Sequence, residues 1–318
     1  MKFTLFRSTT MNKFFYKALF ATCAVSALSA CNSVNKPENT LRIATWNVEH
    51  LAEQNNQGCK ARTEVDYEKL QAYASNLNAD IVALQEVESA KAVARVFAEK
   101  EWQIIMSDRA DSETYTCRKS GRSSTQQKVA FAVKRSLQVD STEQIAQLSA
   151  PRPGLRQGLQ ITIKHAGKTL NLVNVHLKSG CFVEDYQNSD REACTVLAKQ
   201  VKVLDSLLES KSLEEEHWLV LGDFNHRLAN TTNRFRKDLL FAPGLMTENS
   251  QSVKLLNNLT DGHNGCHPKY PAPIDHIFVS SPFNDKYQNP SLQFHYFDNM
   301  DIEYMLSDHC ALSASFAF

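Results

Sequence analysis

A layered α/β sandwich in a single domain is the fold class that this 318-residue sequence predicts, on three observations. Apolar runs of strand character and segments of helical spacing mix along the chain without strict βα alternation, which disfavours a barrel. Neither an internal repeat nor a low-complexity tract interrupts it. No domain boundary is legible after residue 40, and with 42% hydrophobic residues the chain can build one large core.

The first 40 residues are read apart from that domain. Lys13 and Lys17 precede an apolar segment, residues 18–27, which leads into Leu28-Ser29-Ala30-Cys31. A basic start, a short apolar stretch and small residues before a cut site describe a secretory signal, too short to span a membrane well. Leu-Ser-Ala-Cys also resembles the bacterial lipobox, in which the cysteine is lipidated; an ordinary signal with an incidental cysteine is the alternative. The expected organisation is a signal peptide over residues 1–30, a lipidated Cys31 with a tether over 31–40, and one domain over 41–318. Such a chain is expected in a bacterial cell envelope as a lipid-anchored monomer. Asn32 after the cysteine lacks the aspartate associated with inner-membrane retention, favouring the outer membrane or periplasmic face.

Residues 1–30 hold Lys2, Arg7, Lys13 and Lys17 and no acid, so the remaining chain has 31 bases against 35 acids. That balance argues mildly against tight non-specific nucleic-acid binding and leaves polyanion affinity to local patches.

Along the domain, residues 41–46 read as a strand. Leu70, Tyr73, Ala74 and Leu77 share a helical face over 66–77, and residues 81–85 form the next strand. A helix over 89–100, capped by Ser89, and a strand over 102–106 follow. Residues 107–127 form a long polar loop, of the kind that is usually functional or mobile. Strands are expected over 128–134, 158–165 and 169–176, with Ala166-Gly167 as a hairpin turn; residues 137–148 are ambiguous. The best amphipathic helix spans 191–208. Trp218–Leu221 reads as a buried strand that Gly222 breaks. A loop-rich region over 230–273 leads to strands at 274–280 and 310–316.

Six cysteines remain beyond Cys31, and export makes disulfides expected. Cys181 and Cys194 flank one polar loop and form the first expected pair. Cys59 and Cys117, both in polar stretches after early strands, form the second. Cys310 lies in an apolar run and is read as a buried thiol.

Polar residues recur at strand ends: Asn47 and Glu49, Glu86, His176, Asp223 with Asn225, Asp275, and Asp308-His309. Any one of them is most simply a turn residue or a hydrogen-bonded structural group. Together they have the composition of a magnesium-dependent phosphoryl site, since Mg²⁺ is a hard ion served by one or two carboxylates and water. Zinc would want more nitrogen or sulfur.

Thr-Trp-Asn-Val-Glu, Leu-Gln-Glu-Val, Asn-Val-His-Leu, Gly-Asp-Phe-Asn, Ile-Asp-His-Ile and Ser-Asp-His, in that order over residues 41–316, resemble the endonuclease/exonuclease/phosphatase superfamily. The resemblance implies a four-layered α/β sandwich, two central mixed sheets flanked by helices, as in deoxyribonuclease I. It implies a metal-dependent phosphoester hydrolase with Glu86 as principal Mg²⁺ ligand, helped by Asn47 and Asp308, and Mn²⁺ or Ca²⁺ as substitutes. His309, oriented by Asp275, would activate water or bind phosphate. Asp223 would serve the nucleophile or the leaving oxygen, and Asn225 and His176 would donate to the non-bridging oxygens.

The substrate is open at this level. Tyr115, Arg118 and Lys119 on the long loop, and Arg227 after the central motif, could line a groove for a DNA or RNA backbone, or lie on a solvated surface. An exported nuclease acting on DNA, with RNA open, is the leading expectation. A sphingomyelinase-like or 5-phosphatase-like phosphoesterase is the alternative, and an inactive surface-binding lipoprotein the alternative from another class.

Overall fold

In the computed structural model, residues 39–150, 152–212, 217–246, 252–254 and 256–318 are described. The signal segment and Cys31, the expected lipidation site, lie outside them. The chain opens with β1 (Thr40–Leu51), α1 (Glu64–Asn76), β2 (Ile81–Val87), α2 (Ala90–Ala94), β3 (Trp102–Met106) and β4 (Lys128–Lys134). Next come β5 (Val139–Ile145), β6 (Gly158–His165), β7 (Lys168–His176), α3 (Glu192–Ser212) and β8 (His217–Asp223). The last part holds α4 (Arg234–Leu240), β9 (Phe241–Met246), β10 (Ser252–Lys254), β11 (Leu256–Asn258), β12 (Asp275–Ser280), α5 (Ser281–Asn284), β13 (Gln293–His295) and β14 (Ala311–Ala317).

Two six-stranded mixed sheets result, in the orders β13-β14-β1-β2-β4-β3 and β11-β12-β8-β7-β6-β5. Alternation along the strands sorts their apolar residues into three buried layers. Ile43, Ile81, Phe131, Leu172, Leu219 and Ile277 meet between the sheets. Trp46, Leu84 and Ala132 pack with α1 and α2 on the outside of the first sheet. Trp218, Val220 and Phe278 pack with α3 and α4 on the outside of the second. The molecule is thus the expected four-layered sandwich.

One polar pin crosses the apolar interlayer. The Asn174 amide donates to the Leu84 and Ala130 carbonyls of the opposite sheet at 3.0 and 2.8 Å and accepts from Gln85 at 2.8 Å. Burying that carboxamide is tolerable because each polar group is matched, and the match fixes one sheet against the other.

Several expectations are corrected. The helix expected over 89–100 is confined to α2: Ser89 caps it, but Val96 and Phe97 turn inward to join the first outer core. The ambiguous 137–148 segment contains β5, whose polar sequence reflects its edge position and exposed face. The loop-rich region over 230–273 holds α4 and three short strands. Gly222 does not break its strand. Its φ of +142° lets β8 run on to Asp223, and a Cβ there would sit 2.0 Å from the Val175 carbonyl oxygen. Cys310 is not a free thiol but bonds Cys266; Cys59–Cys117 and Cys181–Cys194 pair as expected.

Candidate active site

Each sheet has one parallel pair at its centre, and the two pairs end side by side. Parallel register on β7 and β8 sets His176 beside Asp223, and antiparallel register on β12 sets Asp275 on the other side of Asp223. In the first sheet, β1 and β2 align Asn47 with Gln85. A register shift after that point carries Glu86 forward. Backbone conformation aims the side chains: Glu49, His50, Glu86 and Asn225 all adopt left-handed φ between 50° and 59°. Non-glycine residues held so cost roughly 1–3 kcal/mol each, a concentration typical of functional sites.

Asp223, 1% exposed, is the hub. Its Oδ2 accepts from Asn47 Nδ2 at 3.0 Å and Asn225 Nδ2 at 3.1 Å, and lies 3.3 Å from His176 Nε2 and 3.9 Å from His309 Nε2. Its Oδ1 accepts from the Asn225 backbone at 2.8 Å. His309 Nδ1 is 2.7 Å from Asp275 Oδ2, which leaves Nε2 facing Asp223. This is the expected orienting pair. Glu86 lies on the first-sheet side, its Oε1 3.5 Å from Asn47 Nδ2 and 3.8 Å from His176 Nε2, its Oε2 accepting from the His50 backbone at 3.2 Å.

These surroundings set protonation. Burial pushes the Asp223 carboxyl up to about 7, with Asp275 adding to it and His309 opposing. Burial alone would lower His309, but Asp275 and Asp223 outweigh it and hold the imidazole well above its ordinary value. His176 goes the other way: burial, then the Arg156, His309 and His50 charges, hold it neutral. Asp223 can therefore exchange a proton near neutrality, while His309 stands as a cation and His176 as a neutral donor.

Asp275, Asp223 and His309 have ligand atoms within 4.8 Å of one another, which a cation could exploit. In that trio His309 Nδ1 is already engaged by Asp275. Of the expected cation ligands, Glu86 Oε1 lies 3.5 Å from Asn47 Nδ2, the Asn47 oxygen accepts from the Glu49 backbone at 3.0 Å, and the half-exposed Asp308 donates its backbone N–H to Glu49 Oε2 at 3.0 Å. Carboxylates and one amide suit Mg²⁺, or Mn²⁺ and Ca²⁺ by the same hardness. Asn225 departs from its expected role: its amide donates to Leu177 O at 3.2 Å and to Asp223, so it holds the hub in place of offering a free donor.

Two participants escaped the sequence reading. Arg156 contacts the Leu177 carbonyl at 2.7 Å, and Glu86 and Asp223 raise a pKa that burial lowers. It follows a loop with no motif, so only its proximity to a strand start marked it. His50 Nε2 accepts from Gln127 Nε2 at 3.3 Å and lies 3.4 Å from Tyr115 Oη, tying the long loop to Glu86. Of the expected substrate-binding residues, half-exposed Tyr115 and the exposed Arg118 and Lys119 line the cleft over the site. Arg227 does not; it stands 5.7 Å from the Phe182 ring in an adjoining cavity. His226 is structural, buried against Asn233 at 3.2 Å.

The family model of the endonuclease/exonuclease/phosphatase family matches residues 44–309. No curated protein matches the chain. Among solved structures, humanized D. rerio TDP2 is similar at 16% identity and TM-score 0.59, covering 88% of this chain and 100% of its own. The human Nocturnin catalytic domain with bound sulfate gives 16% and 0.56, covering 88% and 95%. The 3' phosphatase NExo from Neisseria, bound to a product DNA hairpin, gives 16% and 0.56, covering 87% and 100%. At such identity the likeness concerns the fold.

Proposed function

Because the chain belongs to the endonuclease/exonuclease/phosphatase family, a membership that supports a phosphoester hydrolase, we propose that it is a divalent-metal-dependent phosphodiesterase acting on nucleic-acid strands, DNA foremost. The observation that carries the reading is the cleft above Asp223. It encloses about 1430 Å³ and is lined by Arg109, Arg118, Lys119, Arg152, Arg156 and Lys178, with Asp111 and Glu113 among them and with Glu49, Glu86, Asp223, Asp308 and His309 in the same lining. Such a wall suits a backbone of repeated phosphates better than a single headgroup. That D. rerio TDP2 was solved with a single-strand DNA product, and NExo with a DNA hairpin, agrees with it.

Glu86, with Asn47 and Asp308, would hold the cation, Mg²⁺ foremost, which supplies charge neutralisation at the phosphoryl oxygens. Asp223 takes the proton of the attacking water at its Oδ2, a task matched by its raised pKa. His309, cationic and fixed through Nδ1 by Asp275, donates from Nε2 to a non-bridging oxygen. His176 donates as a neutral imidazole, and Arg156 adds a fixed positive charge. Asn47 and Asn225 orient Asp223.

The test offers the purified protein plasmid DNA, RNA, sphingomyelin and inositol phosphates with Mg²⁺, beside an EDTA control. Strand cleavage abolished by EDTA is expected. Release of phosphocholine or inorganic phosphate alone would overturn the nucleic-acid reading. Export as a lipid-anchored envelope protein belongs to the same proposal, and palmitate labelling lost in Cys31→Ala checks it.

A further inference from the structure

Glu49 shares the lining of the cleft with Glu86 and Asp308, yet its carboxylate is already engaged by the protein. Left-handed backbone at a φ of 50° and a hydrogen bond from its own N–H to Asn47 Oδ1 at 3.0 Å fix its place at the tip of β1. Its Oε2 accepts the Asp308 N–H at 3.0 Å and lies 3.3 Å from Lys60 Nζ. The Glu49 and Lys60 side chains are only 22% and 25% exposed, so the pair is largely shielded from water.

Lys60 reaches Glu49 from outside the cleft. It lines a separate space of about 680 Å³ between α1 and the segment 293–306. Its backbone is held on both sides. Cys59, just before it, is bonded to Cys117. Arg62, two residues on and 3% exposed, donates to the Val48, His50 and Leu306 carbonyls at 2.6, 3.3 and 2.7 Å. An ammonium on so fixed a segment loses less freedom in pairing than one on a slack loop.

The electrostatics agree with the contact. Burial and then Asp308 penalise the Glu49 anion, and Lys60 and Arg62 are the cations that relieve it. Arg62 directs its bonded donors at carbonyls, which leaves Lys60 as the one of the two paired with the carboxylate.

Resting on the metal-dependent reading of the same site, we propose that Lys60 is a resident counter-ion that engages Glu49 and withholds it from the divalent cation. Three carboxylates on one cleft, left unpaired, would repel one another and hold a dication tightly. Lys60 neutralises one of them with a charge that the fold itself carries. Glu86 and Asp308 are left to serve the ion, at lower affinity, and the floor keeps its charge balance in cation-free protein.

Mn²⁺ titration of the full chain without substrate, with the free ion read by paramagnetic resonance, tests this apart from turnover. Lys60→Met keeps the apolar stem, removes the charge, and should bind Mn²⁺ roughly three- to tenfold tighter than wild type. Lys60→Arg should stay close to wild type, as should Lys69→Met, which alters another lysine of the same outer cavity. In a Glu49→Gln background the Lys60→Met gain should disappear, because no carboxylate is released. In EDTA Lys60→Met should melt below wild type, and saturating Mn²⁺ should raise its melting temperature by more. Unchanged Mn²⁺ affinity in Lys60→Met, or a gain that persists in the Glu49→Gln background, would overturn the inference; binding lost in Glu86→Gln would still leave the metal reading in place. A Lys60→Met gain in a protein whose Mn²⁺ affinity is indifferent to Glu86→Gln would do the reverse. No Mn²⁺ bound by either wild type or Lys60→Met would overturn both.

Discussion

The two sheets follow the same plan and deliver different chemistry. Each has six strands in which antiparallel neighbours flank one central parallel pair, β1–β2 in the first and β7–β8 in the second. At the ends of its pair the first sheet presents oxygen, in Asn47, Glu49 and Glu86. The second presents a proton-exchange set: His176 and Asp223, with Asp275 from the neighbouring strand. His309 precedes β14 of the first sheet but bonds Asp275 of the second, so the candidate site belongs to neither half alone. The comparison teaches that a repeated scaffold can be specialised at its strand tips while its layers stay alike.

Breaking the seam should have the largest effect. His309→Ala and Asp223→Ala are each expected to lower kcat by roughly 10²-fold or more. Retained turnover in either purified variant would remove that residue from the acid–base pair. Gly222→Ala attacks the scaffold instead. Its Cβ would press on the Val175 carbonyl, so a loss of about 4 kcal/mol or more, or failure to fold, should appear in urea unfolding. A mild effect would show that the β7–β8 pair can separate without unfolding the molecule.

A pH series sharpens the electrostatic side. An ordinary aspartate titrates near 3.8, and Asp223 in the fold near 7. Between those values the folded state binds more protons than the unfolded, so this group's contribution to stability falls as pH rises. Compared in EDTA, Asp223→Asn should therefore gain several degrees on wild type as pH rises from about 4 to about 8. A constant difference in melting temperature would contradict the buried-acid assignment. The smallest effect is expected in the helix layer over the second sheet. Burial, Glu209 and Asp238 raise Asp205 to about 6. Asp205→Asn should stabilise by about 1 kcal/mol or less above that pH, after solvent screening, and by nothing below pH ~4.

Much of the floor was legible in the sequence because strand tips carry short motifs whose spacing survives translation into space. Asn47, Glu86, His176, Asp223, Asp275 and His309 converge as the ordered motifs implied. Backbone aim was not legible: nothing in Leu-Gln-Glu-Val announces the left-handed turn at Glu86. Arg156 and His50 were hidden for a related reason, since each acts through tertiary neighbours and belongs to no periodic pattern. The Cys266–Cys310 bond was missed because apolar context around Cys310 resembles that of an ordinary buried thiol. Arg227 was singled out in the sequence, but the path of the chain after Asn225 puts it beside Phe182 in the smaller cavity and outside the cleft over Asp223.

Each of the three crosslinks among the described residues fastens a segment that lines one of the two cavities bordered by Asp308 and His309: the Tyr115 loop, the Phe182 loop and the Tyr270 segment. None of them is needed to align the sheets, which the interlayer core and the Asn174 pin already hold. A newly made chain whose thiols are still reduced would therefore own its reagents before it owned its grip. Reduction of the three bonds would on this layout release the cavity rims while the packed sheets stay in place.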